Sequence, residues 1–354
     1  MIGEFGLTVR EIEASGYPIA ERIEVNVGTD SRLGAARSMG LGAAAFAEVL
    51  ERRKPDILLA LGDRFEMLSA VAAAFLFRVP IGHIHGGEVT EGAFDESMRH
   101  AITKLSHLHF VTAEEHARRV RQLGEEPWRI TVCGSPALDL LRGAEFLDGR
   151  EFRERFGLQG LPDPFVLATY HPETLGRPSP AEQMRAILAG LKRSGIGVLF
   201  TQSNADPGYR VVLELQKEYV ASNPERAYFI PNLSNEGYYC AMKLAAAMVG
   251  NSSSGLIEAP SVGLPVINVG GRQAGRLRAE NVIDVAADAE EIAHALEAVV
   301  RPEYRRSLRG LCNPYDQGGA ADRIINILKE TDLGDRLTRK RFADLPHCQE
   351  KGTP

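Results

Sequence analysis

Short apolar runs alternate with longer amphipathic stretches along most of the chain. Each run is apolar at nearly every position, and most runs are soon followed by Gly, Ser, Asp or His. Strands of a parallel sheet have this pattern because both of their faces are buried and polar loops follow their carboxyl ends. The pattern predicts strands at residues 56–61, 79–84, 107–111, 129–132, 165–169, 197–201, 227–230, 247–249 and 265–269.

The amphipathic stretches predict helices, among them residues 65–76, 99–104 and 180–192. A charged stretch at 141–160 indicates a junction between two domains. We predict an N-terminal Rossmann-like domain at 1–150, a C-terminal one at 151–312, a helix at 313–330 that returns to the N-terminal domain, and a mobile, charge-rich tail at 331–354. Two such α/β domains facing a cleft form the glycosyltransferase-B type of fold.

Composition narrows the class of protein. The chain has 354 residues, 44% hydrophobic and 25% charged, which is globular composition with length enough for two cores. Its net charge of -6 argues against a nucleic-acid-binding surface. The four cysteines form no CxxC pair, the first residues predict no leader sequence, and no apolar run reaches about 18 residues. We therefore expect a cytoplasmic protein without nucleic-acid or membrane partners.

Polar residues that follow the first two predicted strands are candidates for catalysis. Asp63, in the sequence GDRFE, follows one strand and precedes a helix, so it either faces a ligand crevice or caps the helix. The next strand leads into HIHGGEVTEGAFDESMRH, which has three interpretations. It could be a metal site of His83, His85 and Glu88, an acid/base site of Glu88 and Asp95 beside Arg99, or a polar loop capped by Asp95. The metal site is disfavoured because the residues match no usual ligand spacing.

The second half of the chain has two further candidates. His171, in YHPET, follows a predicted strand and is either structural or catalytic. The loop GNSSSG enters a helix, and its N–H groups and hydroxyls suit an anion such as a diphosphate. It lacks a Walker A ending, so ATP hydrolysis is not implied. An acceptor at Glu258 could hold ribose hydroxyls, and Arg272 supplies a cation near a diphosphate.

A third glycine-rich segment has a structural explanation. Residues 40–45 match a GxGxxA pattern, but no strand precedes them and they lie in a helical stretch. We therefore interpret these glycines as sites of close helix packing rather than as a nucleotide-binding loop.

The motifs GDRFE, HIHGGEVTEGAFDESMRHAITKLSH, YHPET and GNSSSGLIEAPSVGLPVINVGGRQAGR resemble the hydrolysing UDP-N-acetylglucosamine 2-epimerases of sialic acid biosynthesis. The resemblance runs from about residue 4 to about residue 329. It implies a glycosyltransferase-B fold and conversion of UDP-N-acetylglucosamine and water to N-acetylmannosamine and UDP. It also implies a UDP-sugar partner, no metal and no redox cofactor. We expect a homo-oligomer, a dimer or tetramer.

The resemblance also implies roles for individual residues. The acid/base positions are Asp63, Glu88, Asp95 and His171. Arg99 matches a sugar- or phosphate-contacting arginine, Ser252 and Ser253 the diphosphate loop, Glu258 the ribose anchor and Arg272 a cation near the nucleotide. The implied mechanism is loss of UDP with removal of the C2 proton to give a glycal, followed by water addition with inversion at C2.

The sequence departs from the family pattern at two points. Some relatives have Glu where this chain has His85, so an acid/base role there falls to Glu88. Relatives also begin with a strand and a Gly-Thr-Arg loop that would precede Met1. This difference predicts an open or re-paired edge in the N-terminal sheet, or a replacement strand near residues 22–27, and little or no epimerase activity.

Other functions remain open on the sequence alone. The substrate could be another UDP-2-acetamido sugar, such as a diacetamido trideoxyhexose of a legionaminic-type pathway. A non-hydrolysing epimerase, a glycosyltransferase of the same fold and an inactive nucleotide-sugar-binding protein are the further alternatives.

Overall fold

The computed structural model describes residues 9–25, 31–204 and 206–345, which form two parallel sheets covered by helices. The strands are β1 (Leu58–Leu61), β2 (Ile81–Ile84), β3 (Leu108–Val111), β4 (Ile130–Val132), β5 (Phe165–Thr169), β6 (Gly197–Thr201), β7 (Ala227–Ile230), β8 (Ala247–Gly250), β9 (Val266–Val269) and β10 (Val282–Val285). The helices are α1 (Val9–Ala14), α2 (Arg32–Arg53), α3 (Phe65–Leu76), α4 (Asp95–Leu105), α5 (Glu114–Gln122), α6 (Pro136–Gly143), α7 (Gly149–Phe156), α8 (Pro180–Ser194), α9 (Tyr209–Ser222), α10 (Ser234–Leu244), α11 (Ser254–Ile257), α12 (Ala289–Val299), α13 (Pro302–Ser307), α14 (Ala320–Glu330) and α15 (Asp335–Thr338). None of these helices is long and apolar enough to cross a membrane.

The N-terminal sheet has the order β1-β2-β3-β4, with all strands parallel. Helices α2 and α3 pack against each other, and Gly42 lies at their contact. A Cβ atom at Gly42 would lie 3.1 Å from the Ser69 Oγ atom, so close helix packing accounts for this glycine, as the sequence predicted. The core beneath is formed by buried apolar side chains such as Val71, Ile81 and Ile102.

The C-terminal sheet has the order β10-β9-β8-β5-β6-β7. From β5 the chain runs outward to β7, then returns to β8 on the other side of β5 and runs outward to β10. The boundary between β5 and β8 is therefore the point where strand order reverses. In parallel sheets such a switch point is where ligands bind, at the carboxyl ends of the strands.

Each of the predicted strands coincides with an observed strand, but the sequence missed β10 (Val282–Val285). β10 lies at the sheet edge, pairs only with β9 among the described strands, and is partly exposed. Its central Asp284 interrupts the apolar run that marks the other strands. The domain boundary also differs from the prediction. Helix α6, placed in the N-terminal domain by the sequence, packs through Leu138 and Leu141 into the larger C-terminal core.

The chain passes between the two domains at two neighbouring places. The first passage lies at Gly134 and Ser135, and the second at residues 315–319. The Ser135 N–H donates to the Tyr315 carbonyl oxygen at 3.0 Å, so the two passages are hydrogen-bonded to each other. Beyond the second one, α14 packs with Ile324 in one cluster with Leu108 and Phe110 of the N-terminal domain.

Residues 331–345 differ from the predicted mobile tail because they are held against the N-terminal domain. Leu337 is 1% exposed, and the buried Arg129 guanidinium donates to its carbonyl oxygen at 2.8 Å and to that of Arg336 at 3.1 Å. The Lys340 Nζ atom lies 2.8 Å from the Glu125 Oε2 atom. These anchors are few and separated by charged residues, which is why composition did not predict them. Residues 346–354 lie outside the described residues.

The outer edge of β1 is open in the part of the chain that the structure describes. No described strand pairs with that edge, and Leu59 and Leu61 are 43% and 58% exposed. Residues 22–25, one end of the predicted replacement segment, form no strand, and residues 26 and 27 lie outside the described range. Among the described residues the arrangement is the open edge, the first of the three that the sequence predicted.

Candidate active site

The strand ends of both sheets meet across one cleft. The Arg64 Nη1 atom lies 3.0 Å from the Asp206 Oδ1 atom of the other domain, and the Phe94 N–H donates to the Thr174 Oγ1 atom at 3.0 Å. The motifs predicted in the two halves of the chain are therefore assembled into one site.

Asp63 is positioned by a buried arginine rather than by a helix terminus. Helix α3 has Arg64 as its N-cap residue without a side-chain capping bond, so Asp63 is not its cap. Arg99, 1% exposed, forms an ion pair with the Asp63 carboxylate. Burial by itself would raise the pKa of Asp63, but the cations Arg99 and Arg276 outweigh it and lower the pKa below its usual value. Asp63 is therefore ionised at neutral pH.

Asp95 has the opposite electrostatic surroundings. It is the first residue of α4 and is 4% exposed. Burial raises its pKa to about 7, assisted by the negative charges of Asp206 and Asp63. Two carboxyl groups in one cleft whose pKa values are pushed apart are typical of acid/base pairs.

Glu88 lies at the centre of a buried network. Its Oε1 atom accepts hydrogen bonds from the His85 Nδ1 atom at 2.6 Å and the Thr112 Oγ1 atom at 3.1 Å, and its Oε2 atom lies 3.1 Å from the Arg276 Nη2 atom. Burial alone would raise the pKa of Glu88, but Arg276 and His85 lower it well below the usual value. Both oxygens are thus engaged, and Glu88 orients His85 and Arg276.

The metal interpretation of this loop is not supported by the positions of the side chains. The His83 ring is fully buried, with its Nδ1 atom 3.0 Å from the Thr103 Oγ1 atom and its Nε2 atom 2.9 Å from the Gly62 carbonyl oxygen. Both of its nitrogens are occupied by protein groups. His85 follows the end of β2 with a φ of 68°, so the two histidines do not continue one strand face. Backbone strain of this kind is common at functional positions.

Arg99, predicted to contact the sugar or a phosphate, is 1% exposed and forms an ion pair with Asp63. Besides Asp63, it donates to the Thr90 Oγ1 atom at 2.7 Å and to the Glu88 carbonyl oxygen at 3.0 Å. A fully buried guanidinium with these partners fixes the loop and the charge of Asp63.

His171 follows β5 at the switch point. The Asn204 backbone N–H donates to its Nδ1 atom at 3.1 Å, which assigns the ring proton to Nε2. Burial lowers the pKa of His171 well below its ordinary value, and the cations Arg272 and Arg64 lower it further. The Asn251 side chain bonds both backbone polar groups of His171, at 2.7 and 2.9 Å, and so joins this residue to the loop after β8.

The loop after β8 has the features of an anion site. Ser252 and Ser253 precede the short helix α11, and the Ser252 and Ser254 Oγ atoms lie 2.8 Å apart. Glu258 closes this turn, and burial raises its pKa to about 7. Its Oε2 atom is buried and has no hydrogen-bond partner in the described protein. A buried polar atom without a partner is uncommon, which makes Glu258 a candidate ligand-binding residue.

Arg272 and Arg276 lie on the loop after β9. The Glu173 Oε1 atom accepts from the backbone N–H groups of Gly271 and Arg272, at 2.8 and 3.0 Å, and so fixes this loop beside His171. The Arg272 Nε and Arg276 Nη1 atoms are buried and have no hydrogen-bond partner among the described residues. These donors suit a bound anion.

Sequence reasoning missed a group of polar side chains after β6. Gln202, Ser203 and Asn204 all carry buried polar atoms that lack partners in the described chain. They lie beside His171 through the Asn204 contact. Like Asp63 and His171, they directly follow an apolar strand, but uncharged side chains at that position do not by themselves mark a site.

Comparison with known proteins identifies the family. Residues 2–329 match the model of the UDP-N-acetylglucosamine 2-epimerase family. The chain belongs to this family. A relative named GDP/UDP-N,N'-diacetylbacillosamine 2-epimerase (hydrolyzing) from Campylobacter jejuni is 38% identical over 97% of this chain and 88% of its own. A UDP-N,N'-diacetylbacillosamine 2-epimerase (hydrolyzing) from Legionella pneumophila is 34% identical over 95% and 87%.

Solved structures of 2-epimerases share the fold. The UDP-N-acetylglucosamine 2-epimerase of Methanocaldococcus jannaschii, in complex with UDP-N-acetylglucosamine and UDP, has a TM-score of 0.73 at 18% identity and covers 91% of this chain and 88% of its own. The Neisseria meningitidis enzyme bound to UDP-N-acetylglucosamine has a TM-score of 0.68 at 20% identity, with 84% and 82% covered. The predicted fold class, two Rossmann-like domains facing a cleft, is confirmed.

Proposed function

We propose that this epimerase-family protein is a hydrolysing 2-epimerase, which converts UDP-N-acetylglucosamine and water to N-acetylmannosamine and UDP. The observation that carries the proposal is the pair Asp63 and Asp95, with one pKa lowered and the other raised to about 7. Removal of the C2 proton needs a carboxylate base, and the later protonation needs an acid. One ionised and one protonatable carboxyl group supply both.

The order of steps follows from these charges. Asp63, kept ionised by Arg99, takes the C2 proton while the C1–O bond to UDP breaks and leaves a glycal. Water then adds at C1 as a proton returns to C2 from the opposite face, and Asp95 is the group suited to supply it. The Nε2 proton of His171 is available as a hydrogen-bond donor to the sugar. The proton that water loses on adding to C1 restores the Asp95 carboxyl group, and the C2 proton taken by Asp63 is released to solvent, so one water is consumed, UDP leaves and both carboxyl groups return to their starting states.

The opposite end of the cleft suits the nucleotide. The unpartnered Glu258 oxygen can accept from ribose hydroxyls, and the Ser252–Ser253 turn and the Arg272 guanidinium can donate to the diphosphate. Charge on the leaving diphosphate grows in the transition state, so fixed donors at that position stabilise it.

The test is incubation with UDP-N-acetylglucosamine in heavy water, with NMR of the products. Free UDP and N-acetylmannosamine with deuterium at C2 are the expected result. Recovery of UDP-N-acetylmannosamine would indicate a non-hydrolysing epimerase instead. UDP binding without turnover would support the alternative of an inactive nucleotide-sugar-binding protein.

The names of the more similar relatives favour UDP-N,N'-diacetylbacillosamine as a second candidate substrate. Relatives at 38% and 34% identity are named hydrolysing epimerases of UDP-N,N'-diacetylbacillosamine, while a UDP-N-acetylglucosamine 2-epimerase of Neisseria meningitidis is 27% identical. The same elimination and hydration apply to either sugar, because both carry the 2-acetamido group. Parallel assays with the two UDP-sugars distinguish them by kcat/KM.

A further inference from the structure

Two neighbouring cavities on the C-terminal domain form one groove. Their volumes are about 690 and 360 Å³, and Ser261, Val262 and Asp316 line both of them. We call the two cavities together the cationic groove. Its size suits a small molecule. None of the described residues that line it belongs to the candidate active site, so the groove is a separate place on the protein.

Positive charge is concentrated in this groove, although the whole chain has a net charge of -6. The described residues that line it include five cations and one acid. The cations are Arg142, Lys243, Arg305, Arg306 and Arg309, and the acid is Asp316. A local excess of positive charge in a concave surface attracts anions and raises their local concentration.

Two of the five cations are neutralised within the protein. Arg142 lies 2.9 Å from the Asp139 carboxylate and 2.9 Å from the Asp316 carboxylate. Arg306 forms an ion pair with Glu303. Asp316, the acid of the lining, is therefore already paired and does not neutralise the remaining cations.

The other three cations have no carboxylate partner in the described part of the chain. Arg305 is half-buried and donates to the carbonyl oxygens of Ala245 and Lys243, at 2.7 and 3.0 Å. Burial lowers its pKa, and no described acid offsets this effect. The Lys243 Nζ atom lies 3.9 Å from the centre of the Phe146 ring, and Arg309 is exposed. A cation partly removed from water is stabilised by an anion bound beside it.

Apolar side chains line the same groove. Pro260 and Leu308 are buried, and Val262 and Phe146 are half-buried. An inorganic ion would use only the cations, whereas an anion with an organic part also gains from burial against these side chains.

We infer that the cationic groove is a second ligand-binding site, and that it binds a small phosphorylated organic molecule. Arg305, Arg309 and Lys243 supply charge to the phosphate group, and the apolar side chains contact the organic part. Phosphate is favoured over a carboxylate because it carries more charge and three acceptor oxygens, which guanidinium groups bond in pairs. The inference does not rest on the proposed function, because no step of the reaction uses this groove.

The test is titration of the whole chain with phenyl phosphate, followed by calorimetry at low ionic strength. Arg309→Gln and Lys243→Gln should each raise the Kd by about 3- to 10-fold, between the values of an exposed ion pair and a charge-assisted hydrogen bond. The matched control is Arg301→Gln, which removes the same charge. Arg301 is exposed and lines neither cavity, so its variant should keep the wild-type Kd.

Three outcomes would overturn the inference. Equal losses of affinity in Arg309→Gln and Arg301→Gln would mean that the anion responds only to net charge. If Arg272→Gln, at the nucleotide end of the cleft, abolished all phenyl phosphate binding and Arg309→Gln changed none, the anion would bind only in the active site. Equal affinity for inorganic phosphate would show that the apolar side chains bind nothing. Failure of the epimerase reaction would leave each of these comparisons valid, so the two proposals fail separately.

Discussion

The two sides of the cleft differ in how completely their polar groups are bonded. On the N-terminal side, Asp63, Glu88 and Arg99 all bond to protein groups. On the C-terminal side, buried atoms of Ser203 and Glu258 have no partner in the described chain. The first side has its electrostatic arrangement before any ligand binds, as catalytic groups require. The second side has buried polar atoms that can bond a ligand, and in the proposed function it is the binding side.

The largest effect on turnover is expected from a substitution on the N-terminal side of the cleft. Asp63→Asn removes the ionised carboxylate, so turnover should fall by about 10²–10⁴-fold, the scale of general acid/base catalysis. UDP affinity, measured by calorimetry, should stay near wild type because the nucleotide end is unaltered. The control is Asp56→Asn. Asp56 is exposed and precedes β1, at the end of the strand opposite Asp63, so this variant should retain full UDP release. Wild-type turnover in Asp63→Asn would mean that this side is structural.

The next largest effect is expected from the buried ion pair between Glu88 and Arg276, which crosses the cleft. Glu88→Gln leaves Arg276 without its charge partner and should lower the free energy of unfolding at pH 7 by about 3–5 kcal/mol. The folded-state pKa of Glu88 lies well below its ordinary value of 4.5, so its contribution is fully present above pH 4.5 and lost as the pH falls toward the folded value.

Urea unfolding at pH 7 and pH 4 measures both effects. The wild-type protein should lose more stability on acidification than Glu88→Gln does. Glu91→Gln, an exposed acid of the same loop, should match the wild type. Equal acid sensitivity of the Glu88 variant would show that Glu88 is not the ionised partner of Arg276.

On the binding side, Glu258→Ala should weaken UDP affinity by about 1–3 kcal/mol, the value of a lost buried acceptor. Stability should change little, because the Oε2 atom has no protein donor to lose. Glu125→Ala provides the contrast, since that buried carboxylate bonds Lys104, His109 and Lys340. It should lose stability and keep UDP affinity. UDP affinity is measured by calorimetry and stability by thermal melting. If Glu258→Ala lost stability and Glu125→Ala lost UDP affinity, Glu258 would be the structural residue and Glu125 the binding residue.

The smallest expected change in affinity comes from removing one hydroxyl group, that of Ser203. Ser203→Ala should leave the melting temperature unchanged while UDP-sugar affinity falls by about 0.5–1.5 kcal/mol, the net value of one hydrogen bond. Ser69 is equally buried, but its Oγ atom lies 2.8 and 2.9 Å from the carbonyl oxygens of Met39 and Phe65, and its one proton is donated to either of them. Ser69→Ala should therefore lower the melting temperature without changing affinity. A stability loss in Ser203→Ala would reveal a partner within the protein.

The fold was predictable because its main signal is local. Buried parallel strands such as β5 and β6 are apolar at consecutive positions, and that pattern is visible in five residues. β10 was missed because an edge strand is partly exposed and tolerates Asp284. The anchors of residues 331–345 were missed because Arg129 and Lys340 act on backbone carbonyls, which no side-chain pattern marks.

The candidate site was predictable in part for the same reason. Asp63 and His171 directly follow strands, so a local rule finds them. Gln202 and Asn204 obey that rule too, but uncharged amides after a strand are common and gave no distinct signal. The pairing of Arg99 with Asp63 joins residues 36 positions apart. It depends on how α4 packs against α3 and β2, which local sequence does not encode.

The two neighbouring chain passages between the domains also determine how the cleft can open. A pair of adjacent connections, tied by the bond from the Ser135 N–H to the Tyr315 carbonyl oxygen, acts as a hinge with one axis. The domains can swing about that axis, but sliding past one another would stretch both connections. His85, whose Nε2 atom lies 3.3 Å from the Ser135 Oγ atom, is next to the axis, so a rotation about it would displace His85 less than residues farther away. The Arg64–Asp206 and Glu88–Arg276 ion pairs and the hydrogen bond from Phe94 to Thr174 all bridge the domains across the cleft, so a swing that opens it must break all three.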